Sequence, residues 1–314
     1  MRRSIRVTAA LIALLLTPAC DSRGDSSAAK MTGENSPSLA PLAGGEPPLD
    51  PAIVAAADPR KVAAPIAAYV QEDGRARLVS RARMLVGDRC MREFGFAPEP
   101  GWKPEGAVPR DIAARYGLWD EGRAAEFGYL PAEVNDGNPG PVRFVGADAT
   151  NVYFGQIDNY QGKPVPSGGC TNVEFEAVFG PKDSLDVDGH LQVKLDQEAI
   201  TRATQDSRVT PLLSAWQACV KSAGWDYKNP QDPFNYWSSR RGSDKTRAVV
   251  SDEEKRSALA DIGCKKSTGL LGTWLAADIA YQKVLVERNA EQLRAYTKAL
   301  DTVSQRANKI IAEG

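Results

Sequence analysis

Apolar residues recur at spacings of three and four through most of the second half of the chain, which is the pattern of helices with one buried face. The predicted helices cover residues 191–203, 210–223, 251–266 and 273–313. The last segment contains no Gly or Pro, so an unbroken helix there would be about 60 Å long. Its apolar stripe includes Trp274, Tyr281 and Tyr296, which indicates core packing for its first half. The last turns either pack on the core or form a coiled-coil arm for a partner.

The first half of the chain mixes helical spacing with stretches rich in Pro and Gly. Residues 75–94 place apolar side chains on one face and arginines on the other, which predicts a helix. Residues 95–169 are dense in Pro and Gly, with aromatic residues interleaved. Other predicted elements are apolar helical spacing at 62–70, helical turns at 111–116 and 121–127, short strands at 142–145 and 152–157, and a helix at 170–179.

The N-terminus has the pattern of an export signal. Arg2, Arg3 and Arg6 precede an apolar run over residues 7–16, which is too short to span a bilayer as a helix. Thr17-Pro-Ala-Cys20 resembles a bacterial lipobox, in which the cysteine is acylated and becomes the new N-terminus. We therefore predict a signal peptide at residues 1–19 and lipidation of Cys20. The alternative is an ordinary signal peptide cleaved after Ala19, which would leave the protein secreted.

A polar segment follows Cys20. Residues 21–50 are Ser, Gly, Pro, Ala and scattered charges, with few large apolar side chains to offset the entropy lost on ordering. Residues 20–60 are predicted to be the lipidated N-terminus and a flexible tether between membrane and folded part. An N-terminus without a role would have the same composition.

Four further cysteines, Cys90, Cys170, Cys219 and Cys264, predict two disulfides in an exported chain, with three connectivities open. Cys90 and Cys219 each lie on a helix that ends five residues later at a Gly followed by an aromatic residue. This internal echo favours the pairs Cys90–Cys170 and Cys219–Cys264. It also predicts two pseudo-repeated, disulfide-held lobes, one over residues 61–182 and a helical one over residues 183–314. The expected fold class is mainly α, with irregular Pro/Gly/aromatic-rich loops, at most a few short strands and a long C-terminal helix.

Several short motifs together resemble a family of uncharacterised exported lipoproteins of actinobacteria. The motifs are Arg115-Tyr-Gly-Leu118, Phe127-Gly-Tyr129, Val165-Pro-Ser-Gly-Gly-Cys170, the two elements with a cysteine, four residues, Gly and an aromatic, and Ala260-Asp-Ile-Gly-Cys264 with Trp274 and Tyr281 after it. The resemblance covers roughly residues 60–300. It implies export, a mainly helical fold and structural cysteines, and it supplies no catalytic residue.

Composition narrows the classes of function. The chain has 314 residues, of which 42% are hydrophobic and 25% charged, as in an ordinary folded protein. Its 39 basic and 40 acidic residues give a formal charge of −1, so a nucleic-acid partner is not expected. His190 is the single histidine, which argues against multi-histidine metal sites. No cofactor and no metal are expected.

Three groups of polar residues partly resemble catalytic or metal sites. A Ser-His-Asp hydrolase would have to use His190, but no Gly-x-Ser-x-Gly nucleophile elbow accompanies it in the sequence. A surface histidine at a helix start is the better interpretation. The acids before it imitate a calcium loop that begins at Ser184, but Leu195 occupies the position that needs a bidentate Glu. Asp120-Glu121 beside Trp119 suggests a glycosidase only weakly, and helix-capping acids are the preferred explanation.

Two aromatic segments are the best functional candidates. Trp102, Trp119 and Tyr129 lie in the first, and Trp225 and Trp237 lie in the second. Exposed rings would stack on sugars or bury against a partner, whereas buried rings would serve core packing. Arg240-Arg241 next to Trp237 would attract anionic wall polymers or lipid headgroups, unless it is a solvated loop tip.

We therefore predict a lipid-anchored protein on the extracytoplasmic face of the cell membrane. Its expected role is non-enzymatic binding, with an envelope protein or a cell-wall glycan as partner. The alternatives are an envelope hydrolase that uses paired carboxylates brought together by the fold, and a passive structural lipoprotein. No catalytic residue is assigned.

Overall fold

A computed structural model shows a mainly helical protein and confirms the predicted fold class. The structure describes residues 39, 42–69, 73–99, 115–130, 143–181, 184–185, 187–241 and 250–314, all of which belong to one compact unit, Pro37–Gly314. These residues form eleven α-helices, two short 3₁₀ helices and one two-stranded hairpin. Cys20 and the predicted signal peptide lie outside the described residues.

The first half contains five α-helices and the hairpin. Helix α2 matches the predicted helix over residues 75–94, and α3 and α5 match the predictions at 121–127 and 170–179. The 3₁₀ helices Pro59–Lys61 and Pro65–Tyr69 partly replace the helix suggested at 62–70. The bounds are α1 Pro51–Ala56, α2 Asp73–Glu93, α3 Glu121–Phe127, α4 Ala147–Phe154 and α5 Gly169–Phe179.

The two predicted strands were wrong. Val152 lies inside α4, where it and Ala149 are buried on the same face, so packing outweighs the strand preference of a β-branched residue. Residues 143 and 144 form a bend, residue 145 has no regular structure, and residue 142 lies outside the described part. The strands are instead β1 Asn159–Tyr160 and β2 Lys163–Pro164, which pair antiparallel. The turn between them has Gln161 and Gly162 at positive φ, the geometry of a two-residue hairpin.

Six helices make up the second half, where four were predicted; α6, α7 and α9 lie close to the predicted bounds. Ser251 caps α9 by accepting a hydrogen bond from the Glu254 backbone N–H, as its position predicts. The second aromatic segment, residues 225–241, was predicted to be a loop, but its residues 232–241 form α8. The bounds are α6 Leu191–Gln205, α7 Thr210–Ser222, α8 Asp232–Arg241, α9 Asp252–Ser267, α10 Leu270–Arg288 and α11 Ala290–Ala312.

The C-terminal segment is two helices rather than one. The break falls at Asn289, whose backbone N–H and side-chain amide both donate to the Leu285 carbonyl. An Asn can end a helix in this way because its side chain supplies a local hydrogen bond. Helix α11 packs against α2, with Val303 and Ala307 buried and Ile310 partly buried in the same cluster. The apolar stripe of the last turns therefore serves packing within this chain.

Helix α10 is the centre of the main core. It contacts α6, α1, α9 and the second 3₁₀ helix, and thirteen of its nineteen residues are buried. Gly272 permits the close approach of α1, since a methyl group there would lie 2.1 Å from the Val54 carbonyl oxygen. Smaller clusters lie around Cys90 and Cys170, between α2 and α11, and between α3, α8 and α9. Because α2 and α5 both pack on α11, contacts cross the boundary predicted at residue 182; the division into two lobes stays a prediction.

Part of the predicted tether is docked on the folded unit. The Glu46 carboxylate accepts hydrogen bonds from the backbone N–H and hydroxyl of Ser207, both at 2.7 Å. Arg208 donates to the Pro47 carbonyl at 2.9 Å, and Arg288 donates to the Ala43 carbonyl at 2.7 Å. We call residues 42–50 the strap. Its contacts hold it against the α6–α7 corner and the end of α10.

Both predicted disulfides are present. Cys90–Cys170 joins α2 to the start of α5, and Cys219–Cys264 joins α7 to α9. The predicted echo between α2 and α7 is also seen. Each helix ends at a Gly with positive φ, and the next residue, Phe96 or Trp225, donates its N–H to a carbonyl five residues back.

Removal of the Cys219–Cys264 bond by a double substitution to Ala is expected to lower the free energy of unfolding by about 4 kcal/mol, because the bond restricts the unfolded chain. The Cys219–Cys264 bond closes a loop of sequence separation 45, and the Cys90–Cys170 bond closes one of 80. Removal of Cys90–Cys170 should therefore lower the free energy of unfolding slightly more. Urea unfolding of both double variants measures this. A loss below about 1 kcal/mol for each would contradict the chain-entropy explanation.

Candidate functional site

The segment Arg115-Tyr-Gly-Leu118 lies where three helices meet. Arg115 donates to Asp278 of α10 at 3.1 Å and to both carboxylate oxygens of Asp196 of α6, at 2.8 and 2.6 Å. The Tyr116 hydroxyl donates to the same Asp278 carboxylate at 2.5 Å. The Asp278 side chain is fully buried, while those of Arg115 and Asp196 keep some exposure. One short segment thus connects α6 and α10 through charged hydrogen bonds.

Asp278 is surrounded by donors. Besides Arg115 and Tyr116, the side-chain amide of Gln282 donates to it at 3.0 Å, and Gln282 in turn accepts from the Ile66 N–H. Burial raises the pKa of Asp278 above its ordinary value, although the Arg115 charge and these donors act in the opposite direction. Burial also raises the pKa of Tyr116 well above its ordinary value. This cluster has the composition of a buried, structural ion pair.

The second half of the motif contacts α9. Gly117 has a φ of +72°, and a methyl group there would lie 2.7 Å from the Pro230 carbonyl oxygen and 2.8 Å from the Lys265 Nζ. Only Gly fits this approach without strain. The Leu118 carbonyl accepts from the Lys265 Nζ at 2.8 Å. The motif therefore contacts a buried charge at each of its ends.

Lys265 and Asp261 form a second buried ion pair, one turn apart on α9. The Lys265 Nζ lies 3.0 Å from an Asp261 carboxylate oxygen, with the two side chains 1% and 0% exposed. Asp261 also accepts from the Tyr129 hydroxyl at 3.2 Å and the Trp216 indole N–H at 2.9 Å. Burial lowers the pKa of Lys265 from its ordinary value, and the Asp261 charge opposes that shift.

The motif Phe127-Gly-Tyr129 docks the end of α3 on α9. The Tyr129 N–H donates to the Glu254 carboxylate at 2.9 Å, and burial is the main cause of the raised pKa of the Tyr129 hydroxyl. Gly128 has positive φ, and a methyl group there would lie 2.9 Å from Glu254 and Val250. Val165-Pro-Ser-Gly-Gly-Cys170 has a similar role. A methyl group on Gly169 would overlap the Gly155 nitrogen, so the backbone just before Cys170 packs directly on the end of α4.

A third charged cluster has no sequence motif. Arg143 donates to the Asp88 carboxylate at 2.7 Å and to Glu174 at 3.2 Å, and Arg83 donates to Glu174 at 2.8 Å. The Tyr153 hydroxyl donates to Glu174 at 3.1 Å. These residues come from α2, α4, α5 and the loop before α4. Because they are far apart in sequence, no local pattern could have assembled them.

The capping acids follow the preferred explanation. Asp120 is the N-cap of α3 and accepts from the Arg123 N–H at 2.9 Å, while Glu121 pairs with Lys266. His190 is exposed at the start of α6, and its backbone N–H donates to the Asp188 carboxylate. Asp186, which belongs to the calcium-like pattern, lies outside the described residues. In the described part, no group of three or more His, Cys, Asp or Glu is placed to hold a metal ion.

The five aromatic candidates have different surroundings. Trp102 lies outside the described residues. Tyr129 and Trp237 are each 4% exposed, which favours core packing over surface contact for both. Trp119 is half-buried beneath the Arg60 guanidinium, 4.5 Å from the ring centroid. Trp225 is half-buried as well.

Trp225 and Trp237 belong to a four-ring cluster with Tyr227 and Tyr236, which we call the aromatic patch. Neighbouring ring centroids in it are 5.1 to 6.1 Å apart. Tyr227 and Trp237 form its buried floor, and Tyr236 on α8 is 40% exposed. The structure thus brings the second aromatic segment together as a surface. Tyr236 belongs to the predicted aromatic segment but was not among the residues predicted to contact a ligand, although its position next to Trp237 and one turn before Arg240 was a usable signal.

Comparison of the chain with protein-family models, curated proteins and solved structures found no match. No helix in the described ranges is both long and apolar enough to cross a membrane.

Lys265→Met is expected to lower the free energy of unfolding by about 3–5 kcal/mol, since it leaves the Asp261 charge buried without its cation. The double variant Asp261→Asn/Lys265→Met should recover part of that loss, because no charge is then left unpaired. Urea unfolding of both single variants and the double variant measures the coupling. Lys266→Met is the matched control, because its pair with Glu121 is half-exposed and should cost less than about 1 kcal/mol. Additive effects at 261 and 265 would contradict the pairing.

Asp206 predicts an acid-sensitive contribution to stability. Burial raises its pKa, but hydrogen bonds from Arg208 outweigh this and, with one from Tyr281, give a net lowering. A lowered folded-state pKa stabilises the fold above the unfolded-state value of about 3.9, and this contribution is lost as pH falls through the folded-state pKa. Asp206→Asn should therefore flatten the decline of stability below about pH 4, and Tyr281→Phe should do so less. Urea unfolding across pH 2–6 tests this, and an unchanged acid slope in both variants would refute it.

Proposed function

We propose that this chain is a lipid-anchored, extracytoplasmic protein whose role is non-enzymatic binding at the cell envelope. The proposal combines an N-terminal anchor, a disulfide-held helical unit and an exposed aromatic surface. The following features support each part.

The cysteines support export. All four cysteines in the part of the chain that the structure describes are disulfide-bonded, which is typical of proteins that fold in an oxidising compartment. Cys20 is then the one cysteine left over in the sequence, and it stands at the end of the lipobox-like segment. An acylated Cys20 accounts for its presence without a disulfide partner.

The buried acids support a non-enzymatic role over the envelope hydrolase. Asp196 and Asp278 do converge, but they meet on Arg115. A glycosidase needs two carboxyl groups that face a sugar from opposite sides. The Asp278 side chain is 0% exposed and binds Arg115, Tyr116 and Gln282, so its oxygens are engaged inside the core.

The aromatic patch is the observation that carries a binding role over a passive structural one. Tyr236 keeps 40% of its surface exposed while its neighbours Tyr227 and Trp237 are buried. Exposed aromatic side chains next to charged ones are typical of binding surfaces, where Tyr, Trp and Arg supply most of the affinity. The full patch is therefore a preferred contact point for a ligand or partner.

The anchor is tested by metabolic labelling with an alkyne fatty acid. The wild-type chain is expected to carry the label and to fractionate with membranes, whereas Cys20→Ser should carry none, because acylation needs the thiol. The double variant Cys219→Ala/Cys264→Ala is the control and should keep its label. An unlabelled wild-type chain would contradict the lipidation of Cys20 and favour the secreted form.

A further inference from the structure

We propose that the aromatic patch binds a polysaccharide that carries anionic groups. This inference deepens the proposed binding role and rests on it. It depends on three properties of the patch: its rigidity, its exposed ring and the side chains beside that ring.

The floor of the patch is held by hydrogen bonds. The Trp237 indole N–H donates to the Tyr227 hydroxyl at 3.1 Å and to the Ser257 hydroxyl at 3.2 Å. The Tyr227 and Ser257 hydroxyls lie 2.7 Å apart and share a further hydrogen bond. These bonds tie the rings to α9, so the surface is formed before any ligand arrives. A pre-formed surface binds more tightly because less entropy is lost on binding.

The outer part of the patch combines a ring with a cation. Tyr236 contacts Tyr227 and Trp237 edge to face, which holds its ring in place. The Arg240 guanidinium lies 4.6 Å from the Tyr236 ring centroid and donates to the Tyr236 hydroxyl at 2.7 Å. Ser239 and Arg240 follow Tyr236 by three and four residues on α8, so all three share one helix face.

This combination suits a sugar better than a purely apolar partner. A sugar ring offers a C–H face that packs on an aromatic ring and hydroxyl edges that bond to polar groups beside it. Ligand sites commonly pair apolar and aromatic surface with a few placed polar groups. The Arg240 donors supply those groups here, and the exposed Ser239 hydroxyl, which donates to the Tyr236 carbonyl at 2.8 Å, supplies an acceptor.

Arg240 adds a preference for negative charge. A guanidinium has five N–H donors in one plane, in a geometry that matches carboxylate and phosphate oxygens. Within the described ranges, no carboxylate lies within ion-pair distance of Arg240. Arg240 is exposed and donates to the Tyr236 hydroxyl through one of its nitrogens, so its other donors can bond to a carboxylate or phosphate group on the polysaccharide.

The test is co-sedimentation of the detergent-solubilised, full-length protein with insoluble wall polysaccharide. The polysaccharide is used before and after acid extraction of its anionic side polymers. The wild-type protein is expected to bind the untreated material more tightly. Tyr236→Ala should weaken binding to both materials about tenfold, the equivalent of 1.4 kcal/mol. Tyr236→Phe should keep most of the binding, because it keeps the ring.

Arg240→Ala separates the charge from the ring. It should weaken binding to the untreated polysaccharide more than binding to the extracted one, and added salt should reduce the difference between this variant and the wild type on the untreated material. Phe154→Ala is the matched control, since Phe154 is an aromatic residue 54% exposed on α4, away from the patch. Its binding should equal that of the wild type. Circular dichroism checks that every variant is folded.

Three results would overturn the proposal. The first is no binding of the wild-type protein to either polysaccharide, and the second is equal binding by Tyr236→Ala and Phe154→Ala. The third is binding to vesicles with anionic lipids through Arg240 without binding to polysaccharide. Fatty-acid labelling of Cys20 is independent of all these outcomes.

Discussion

The fold depends on the burial of charge around one short segment, Arg115-Tyr-Gly-Leu118. Arg115 and Tyr116 satisfy Asp278 at the centre of α10, and the Leu118 carbonyl helps to satisfy Lys265 on α9. Buried charges are costly unless each is paired and hydrogen-bonded. The segment therefore has to sit in one place for α6, α9 and α10 to pack, and Gly117 is what lets the backbone come close enough.

This constraint changes how the sequence motifs are understood. Short motifs rich in Gly, Tyr and charged residues resemble the signatures of catalytic sites. Here Gly117, Gly128 and Gly169 each permit a close contact between a loop and a helix. The polar residues beside them bond to buried partners in the core. These motifs hold irregular segments against helices, where the buried backbone groups of those segments need hydrogen-bond partners.

Local patterns predicted most of the helices and both disulfides, because helix spacing, Gly stops and the echo around Cys90 and Cys219 are properties of neighbouring residues. Prediction failed where distant residues decide. Residues 152–157 were predicted to form a short strand, yet burial of Val152 beside Ala149 makes the first part of that segment helical. The break at Asn289 has no Gly or Pro to announce it. Trp225 and Trp237 of the candidate site were predicted to contact a ligand or partner. That Trp237 is buried while Trp225 stays half-buried depends on how α8 packs on α9.

The strap has a mechanical consequence. A force applied to the chain before residue 42 reaches the folded unit through the Arg288–Ala43 and Glu46–Ser207 contacts before it reaches α1. The load is thereby transferred to the end of α10 and the start of α7, two helices that belong to the main core. The thirteen residues of α7 span about 20 Å, and the aromatic patch follows its far end. Helix α7 is thus a rigid spacer between the strap contacts, where the force enters the folded unit, and the aromatic patch.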